Sequence, residues 1–396
     1  MSKPVRGPTR NMLLLDSGLR RASGHHQHFA EGFARAAHRR GWHTSIYAHR
    51  GLNDEIVGGF ETRAVFRHSL YDRLSPDPYE GTLCDYAPLS KTFAEDLLGA
   101  ATPRGPALVL LPTATPAELA GIALWLAGQP EPPRLAAIFH WGDVQTLSRG
   151  TLAAALLRRA AKALVAARPA DIWFGATHAS LAAALGEVLV RPINIVPSLT
   201  FFETSPLSES PRDALDTVTL IVPGAPRAAK GSAVMRDLAI AAWAERLPVR
   251  FIVQAGDDTD FSASMVGLPG VSVFDGWLHE AALTNAIDGA DAALLPYDKR
   301  TYSQMVSGVF TLVSGRGRPS LVPEGTWLSE RLAAGEAAGL TFRENNVADL
   351  LNTIRRFLLE RAKLQEQAAA RAETWRNAYS AELLVDRLLE WASLDR

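Results

Sequence analysis

The sequence predicts two doubly wound α/β domains. The chain is long enough for two, short apolar runs alternate with longer segments of helical period, and this series stops at a polar stretch and then starts again. At 396 residues, and at roughly 150 residues per domain, each half is large enough to bury its own core. Hydrophobic residues make up 47% and charged residues 21%, a soluble globular composition that is too apolar for disorder.

In the first half, Leu13 to Leu15 reads as a buried strand, and the run from His28 through Arg40, with Phe29, Phe33, Ala36 and Ala37 on one face, reads as a helix. Thr44 to Ala48, Ala107 to Leu111, Leu135 to Phe139, Ile172 to Phe174 and Ile193 to Val196 read as further strands, with Ala-rich helices between them. Strands of this kind, separated by helices, form parallel sheets. From Phe202 to Asp216 the composition turns to Ser, Pro, Glu and Asp, which sustains neither periodicity, so the domain boundary is placed at 205/206.

The second series comprises Val218 to Val222, a Gly-containing turn, a helix through Trp243, and strands at Val249 to Val253, Val271 to Phe274 and Ala292 to Leu295. The second domain is therefore expected over 206–373. A final helix, 374–396, with Tyr379, Leu383, Leu384, Leu388 and Trp391 on one face, is expected to pack back on the first domain.

Charge and cysteine content narrow the function classes. The net charge of −1 provides no global field for nucleic acid. Cys84 is the single cysteine, which excludes an intramolecular disulfide and a zinc site built on several cysteines. The apolar run Met12 to Leu15 is cut short by Asp16, too soon for a signal-peptide core, and no run of about 18 apolar residues predicts a membrane span. A cytoplasmic protein, at most peripheral at the inner face of the membrane, fits these features.

In doubly wound sheets ligands bind beyond the carboxyl ends of the strands, so two such domains predict a site where those ends face each other. The first loop of the second domain, Gly224 to Gly231 (GAPRAAKG), brings Arg227 and Lys230 to a helix start. Backbone N–H groups, the helix dipole and two cations there suit a diphosphate; the same composition also describes a solvated basic turn. Gly276 and Trp277 follow the next strand, and Asp291 to Tyr297 closes another.

This order resembles the donor-binding half of GT-B glycosyltransferases of the glycogen-synthase-like group. The segment Tyr302 to Phe310 (YSQMVSGVF), then Gly317-Arg318-Pro319 and Val322 to Trp327 (VPEGTW), is similar to the bacterial members of that group. The resemblance covers nearly the whole second domain. It implies a GT-B fold, a nucleotide-sugar donor, retention of anomeric configuration and no catalytic metal or other cofactor. It also implies donor contacts for Gly224, Gly276, Trp277, Tyr302, Gln304, Ser307, Gly308 and Thr326. Alignment on Gly317 and Pro319 puts the group's two glutamates at Gln304 and Leu312. A Gln still hydrogen-bonds a sugar hydroxyl, whereas Leu312 accepts no bond from a ribose; either another residue such as Glu324 takes over, or donor binding is weakened.

In the first domain, Gly24, His25 and His26 follow the first strand, where the group carries a Gly-rich turn; they are candidates for acceptor hydroxyls or donor phosphate, and equally for helix capping. His140, just after a strand, is a candidate base or hydrogen-bond donor, or a structural histidine. Arg158, Arg159, Lys162 and Arg168 lie on one Ala-rich helix, readable as a contact for anionic lipid or as a solvated face. Of the tryptophans, Trp327 stands out as a stacking residue by its place in the motif.

The expected function is transfer of a sugar from a nucleotide-diphosphate donor to a glycan or lipid-linked acceptor, as in bacterial polysaccharide synthesis. Arg227, Lys230 and His140 are the catalytic candidates. The competing readings are a non-catalytic binding protein of the same fold and a nucleotide-sugar 2-epimerase, for which no set of carboxylates is found.

Overall fold

The computed structural model describes residues 10–21, 24–52, 57–75, 81–100, 106–140, 150–167, 172–197, 217–224, 226–276 and 280–393. The chain divides into two compact units, Met1–Leu199 with Ser380–Arg396, and Thr200–Tyr379. The polar stretch at 202–216 lies outside the described residues.

The first unit contains β1 (Asn11–Asp16), α1 (Gly24–Arg39), β2 (His43–His49), β3 (Thr62–Phe66), α2 (Gly81–Gly99), β4 (Leu108–Leu111) and α3 (Pro116–Ala127). It continues through β5 (Arg134–Phe139), α4 (Leu152–Ala167), β6 (Ile172–Ala176), α5 (Ala179–Leu189) and β7 (Asn194–Ile195). Its seven-stranded sheet has the order β3-β2-β1-β4-β5-β6-β7, with every paired ladder parallel. The central strands are buried on both faces, which is why they read as continuous apolar runs such as Met12 to Leu15. Stacked Phe66 and Phe93, 4.4 Å between ring centroids, join the sheet to α2.

The second unit contains β8 (Val218–Val222), α6 (Ser232–Ala244), β9 (Val249–Gly256), α7 (Thr259–Met265), β10 (Val271–Asp275), α8 (Glu280–Asp288), β11 (Ala292–Leu294) and α9 (Lys299–Tyr302). It closes with α10 (Gly308–Gly315), β12 (Ser320–Pro323), α11 (Trp327–Ala333), β13 (Gly339–Phe342) and α12 (Val347–Ala378). The sheet order is β10-β9-β8-β11-β12-β13, again parallel throughout the paired ladders. Its strand order reverses at β8/β11, as that of the first unit does at β1/β4. Such switch points open the crevice in which doubly wound sheets take ligands.

The final helix differs from the expected 374–396. Trp375 lies in the last turn of the 32-residue α12 and Tyr379 stacks on it at 4.4 Å. Ser380 then caps a separate helix, α13 (Ala381–Trp391), by accepting from Leu383 N. α13 belongs to the first unit, where Arg39 of α1 and Arg40 just after it pair with Glu382 and Asp386. Tyr379 therefore serves the core of the second unit and not the face of the terminal helix.

Candidate functional site

At the carboxyl end of β8 the chain turns through Gly224, whose φ of 96° favours glycine. Its N–H donates to Gln254 Oε1 of β9 at 2.7 Å. A Cβ on Gly224 would sit 2.5 Å from Lys230 Nζ and 3.7 Å from Val309 of α10. Three segments thus converge on one point: the β8 turn, the 3₁₀ turn Ala228–Lys230, and the first turn of α10. Gly231, with φ of 69°, starts α6 directly behind Lys230. Ser307 caps α10 by accepting from Phe310 N at 3.1 Å, and exposed Gly308 is the first helical residue.

The ammonium of Lys230 lies 5.8 Å from the centroid of the Tyr297 ring. Burial, and then the Arg227 charge, lower its pKa to about 8. A partly buried cation of this kind, beside the positive ends of helix dipoles, holds an anion with a strength that an exposed lysine lacks. Arg227 is exposed at the mouth of the same loop. Tyr302 packs on Tyr297, ring centroids 4.2 Å apart, and burial raises its pKa to about 12, against the pull of Arg227. Gln304 is half-buried in the loop leading to α10. Gly276 N donates to Gly256 O at 2.8 Å beyond the ends of β9 and β10, on the same edge of the sheet.

α10 is held from behind. Buried Arg316 pairs with buried Asp288 of α8, and Trp375 Nε1 donates to Thr311 O at 3.0 Å. Phe310, Trp327 and Trp375 pack edge to face.

Two expectations change here. Thr326 is fully buried: its hydroxyl donates to Pro323 O at 2.8 Å and accepts from Ser329 N to cap α11, which commits it to the fold and away from a ligand. Trp327 is 4% exposed and belongs to the aromatic core. Leu312 is buried in that core too, and Glu324 is exposed at the carboxyl end of β12. Trp277 and Arg168 lie outside the described residues. On α4, Arg159 and Lys162 are exposed while its apolar face is buried, and no described helix is long and apolar enough to cross a membrane. Among the described residues no three His, Cys, Asp or Glu side chains are grouped to hold a metal ion.

His140 stands in the first unit, where it joins His25 and His26. At the β1/β4 switch point, Asp16 closes β1 and is 1% exposed. Its carboxylate oxygens lie 2.8 and 2.9 Å from His26 Nδ1, and one of them accepts from Gly18 N at 3.0 Å. The carboxylate sets the His26 tautomer, so that Nε2 accepts from the Tyr71 hydroxyl at 2.9 Å. His25 Nε2 lies 3.3 Å from the same oxygen. Gly18 is required here because a Cβ would meet the His26 ring at 2.2 Å.

Burial lowers the pKa of His140 to about 4, although a hydrogen bond to the backbone of Pro112 acts the other way. Loss of solvent around its ring, then the neighbouring His26 and His140, lower that of His25 to about 4 as well. His25 keeps an exposed edge, so the His140 shift carries more weight. Both rings are neutral at pH 7 and suit hydrogen bonding better than proton abstraction. Gly24, at φ 81°, is the exposed first residue of α1.

Beside this cluster, Ser17 Oγ donates to Glu118 Oε1 at 2.6 Å and accepts from Leu70 N at 3.0 Å. Glu118 also accepts from the Thr115 hydroxyl at 2.8 Å and from Thr115 N at 3.2 Å, the latter closing the capping box of α3. Burial raises its pKa to about 7 against these donors. A cavity of about 30 Å³, lined by Ser17, Leu70, Asp96, Thr115 and Glu118 among others, adjoins it; it has room for a water or two.

Sequence reasoning missed Asp16, Tyr71, Tyr297 and Glu118. A charge ending an apolar strand run was a usable signal for Asp16, and the spacing Thr115-x-x-Glu118 was one for the capping box. Tyr71 has no local signal, because its partners are 45 and 46 residues away.

No family model and no curated protein matches the sequence. Solved structures do match it. Sucrose-phosphate synthase from Thermosynechococcus elongatus is 13% identical, with a TM-score of 0.64 over 98% of this chain and 100% of that one. A glycosyltransferase from Rickettsia africae is 11% identical, with a TM-score of 0.65 over 98% of each chain. Anabaena HepE in complex with UDP is 14% identical, with a TM-score of 0.63 over 97% of this chain and 100% of that one; another structure of it holds UDP and glucose. The likeness is one of fold, and that fold is the two-domain GT-B architecture of glycosyltransferases.

Proposed function

We propose that this protein is a glycosyltransferase that moves a sugar from a nucleotide-diphosphate donor to a hydroxyl of a glycan or lipid-linked acceptor, with retention and without a metal. The observation that carries the reading is the convergence of Lys230, the Gly224 turn and the first turn of α10 at the β8/β11 switch point. A diphosphate at that point meets one partly buried ammonium, one exposed guanidinium and backbone amides at two helix starts. As the bond between the sugar and the diphosphate breaks, negative charge grows on the leaving group, and preorganised donors there lower the barrier without reorganisation. Gln304 and Gly276 supply polar contacts to the remainder of the donor. That HepE, of the same fold, is solved with UDP and glucose supports the choice of donor class.

Titration of the purified protein with UDP, GDP and their common sugar conjugates, in chelator and then in magnesium, tests the reading. Saturable binding of one nucleotide, weakened roughly 10- to 100-fold by Arg227→Ala and further by Lys230→Ala, is expected, with turnover abolished in the double variant. Near wild-type turnover in that variant would sink the leaving-group role. Buried Leu312, at the position of a ribose-binding glutamate in the resembling group, motivates the second reading of a non-catalytic protein of this fold; absence of binding to every nucleotide supports it.

A further inference from the structure

Three consecutive residues just after β11 meet three consecutive residues of the turn before α6, in antiparallel order. Pro296 presses on Gly231, the ring of Tyr297 lies under the Lys230 ammonium, 5.8 Å from centroid to Nζ, and Asp298 N donates to Ala229 O. Backbone contacts on both sides therefore fix the place of the ring beneath the amine. Tyr297 is 1% exposed and packs on Tyr302, so its ring has no room to swing away.

What the amine lacks is a carboxylate. Among the described residues no acidic side chain pairs with Lys230, and the charge that reaches it is the repelling one of Arg227 from its own turn. Asp298, beside the ring in the chain, has its carboxylate committed to Thr301 N at 2.8 Å, where it caps α9. Tyr302 is a neutral phenol, its pKa raised to about 12. The side chains that β9 and α10 bring to the Gly224 turn are Gln254 and Val309, neither of them charged. A cation taken partly out of water needs a partner, and the negative face of an aromatic ring within about 6 Å is one. The Tyr297 hydroxyl takes no part. It is buried and makes no hydrogen bond of good geometry among the described residues; Ser307 stands near it, yet burial still pushes the phenol's pKa up.

We propose that, on the glycosyltransferase reading above, Tyr297 is a positioning residue of the diphosphate site: its ring face keeps the Lys230 side chain charged and in place beside the Gly224 turn, and it reaches the donor through that ammonium alone. With the ring face present, the amine meets the diphosphate as a cation through neutral pH. Without it, loss of water and the repulsion of Arg227 are unopposed, and the amine gives up its proton at lower pH.

The first arm of the test needs no nucleotide. Position 297 of the full-length protein is filled with phenylalanine, and then with a phenylalanine bearing three ring fluorines. The fluorinated ring has nearly the same size and shape, so the fold is preserved, but its face carries little negative charge. Competitive labelling with acetic anhydride over a range of pH, located by peptide mass, reads the proton on Lys230. The labelling midpoint is expected to fall by at least about half a pH unit from Tyr297→Phe to the fluorinated ring. An equal midpoint, or one that rises, overturns the proposal.

The second arm reads UDP affinity by calorimetry in chelator. A fall of half a pH unit corresponds to about threefold weaker binding near pH 9, where the amine is mostly neutral, and to little change near pH 6. That pattern is expected for the fluorinated ring against Tyr297→Phe. It should vanish when Lys230→Met is added to both, since a residue that acts through another has no effect once that other is gone. A loss of equal size in the Lys230→Met background means that the ring serves the packing of the site and not the amine, and overturns the proposal. If the wild-type protein binds neither UDP nor GDP while the midpoint shifts as expected, the donor reading fails and Tyr297 keeps its role toward a different anion. Saturable binding with an unmoved midpoint leaves the donor reading intact and removes Tyr297 from it.

Discussion

Gly231 and Pro296 approach so closely that a Cβ on Gly231 would lie 1.8 Å from the Pro296 carbonyl oxygen. This contact seats the turn carrying Lys230 against the end of β11, and Asp298 N fastens it by donating to Ala229 O at 2.9 Å. Gly231→Ala adds both this clash and the strain of a left-handed φ. We expect a loss of stability above about 2 kcal/mol and a loss of nucleotide binding larger than stability alone explains. Thermal melts with and without UDP check this; binding intact in a folded variant would contradict it.

Lys230 should make nucleotide affinity depend on pH. Its amine loses a proton near pH 8 in the ligand-free protein, below the value of about 10.5 for an ordinary lysine, and a diphosphate binds the ammonium form. Affinity should hold below pH 8 and weaken above it, approaching tenfold per pH unit. Calorimetry with UDP between pH 7 and 9 reads the slope, and Lys230→Met should flatten it. A flat wild-type profile refutes the assignment.

Glu118 works in the opposite sense, on stability. Its folded pKa, about 7, lies above that of an unfolded glutamate, about 4.3, so between those values the folded state binds more protons. Stability from this group is fully present below about pH 4 and is lost as pH rises toward 7, by up to about 3 kcal/mol. Glu118→Gln removes the linkage. The melting temperature of the variant relative to wild type should rise by several degrees from pH 5 to pH 7.5, and a constant difference would exclude the shift.

The Arg316–Asp288 pair is buried on both sides, each side chain 5% exposed. Arg316→Met strands the carboxylate and should destabilise by about 3–5 kcal/mol, whereas Arg316→Met with Asp288→Leu should recover most of the loss. Denaturant unfolding of the two variants separates loss of a partner from loss of packing. Should both fall equally, the pair itself is stabilising.

Much of the fold was legible because buried parallel strands have no polar face to dilute their signal. Leu13 to Leu15, Val218 to Val222 and Val249 to Val253 all lie within observed strands. β3 was not legible, since Thr62 and Arg63 are only half-buried at the sheet edge and interrupt the apolar run. β12 and β13 are four residues each, too short for periodicity to register. At the candidate site, the local cradle from Gly224 to Gly231 could be read because it is one contiguous loop. Thr326 misled because a threonine before a helix serves as a cap as readily as a ligand contact. Tyr71 stayed hidden because only the tertiary fold brings the loop after β3 to His25 and His26.

The crossing at Tyr379 has a consequence for how the molecule is made. The second unit is one continuous stretch, whereas the first is completed only by α13, which follows the second unit in the chain. On the ribosome, the first unit therefore stays unfinished until after the second has been made. Until α13 arrives, Arg39 and Arg40 have no acidic partners from it, and the part of α1 that packs on α13 stays uncovered. Termination between α12 and α13 would leave the second unit attached to an unfinished first one, making α13, remote from both candidate sites in sequence, a point of quality control for both units.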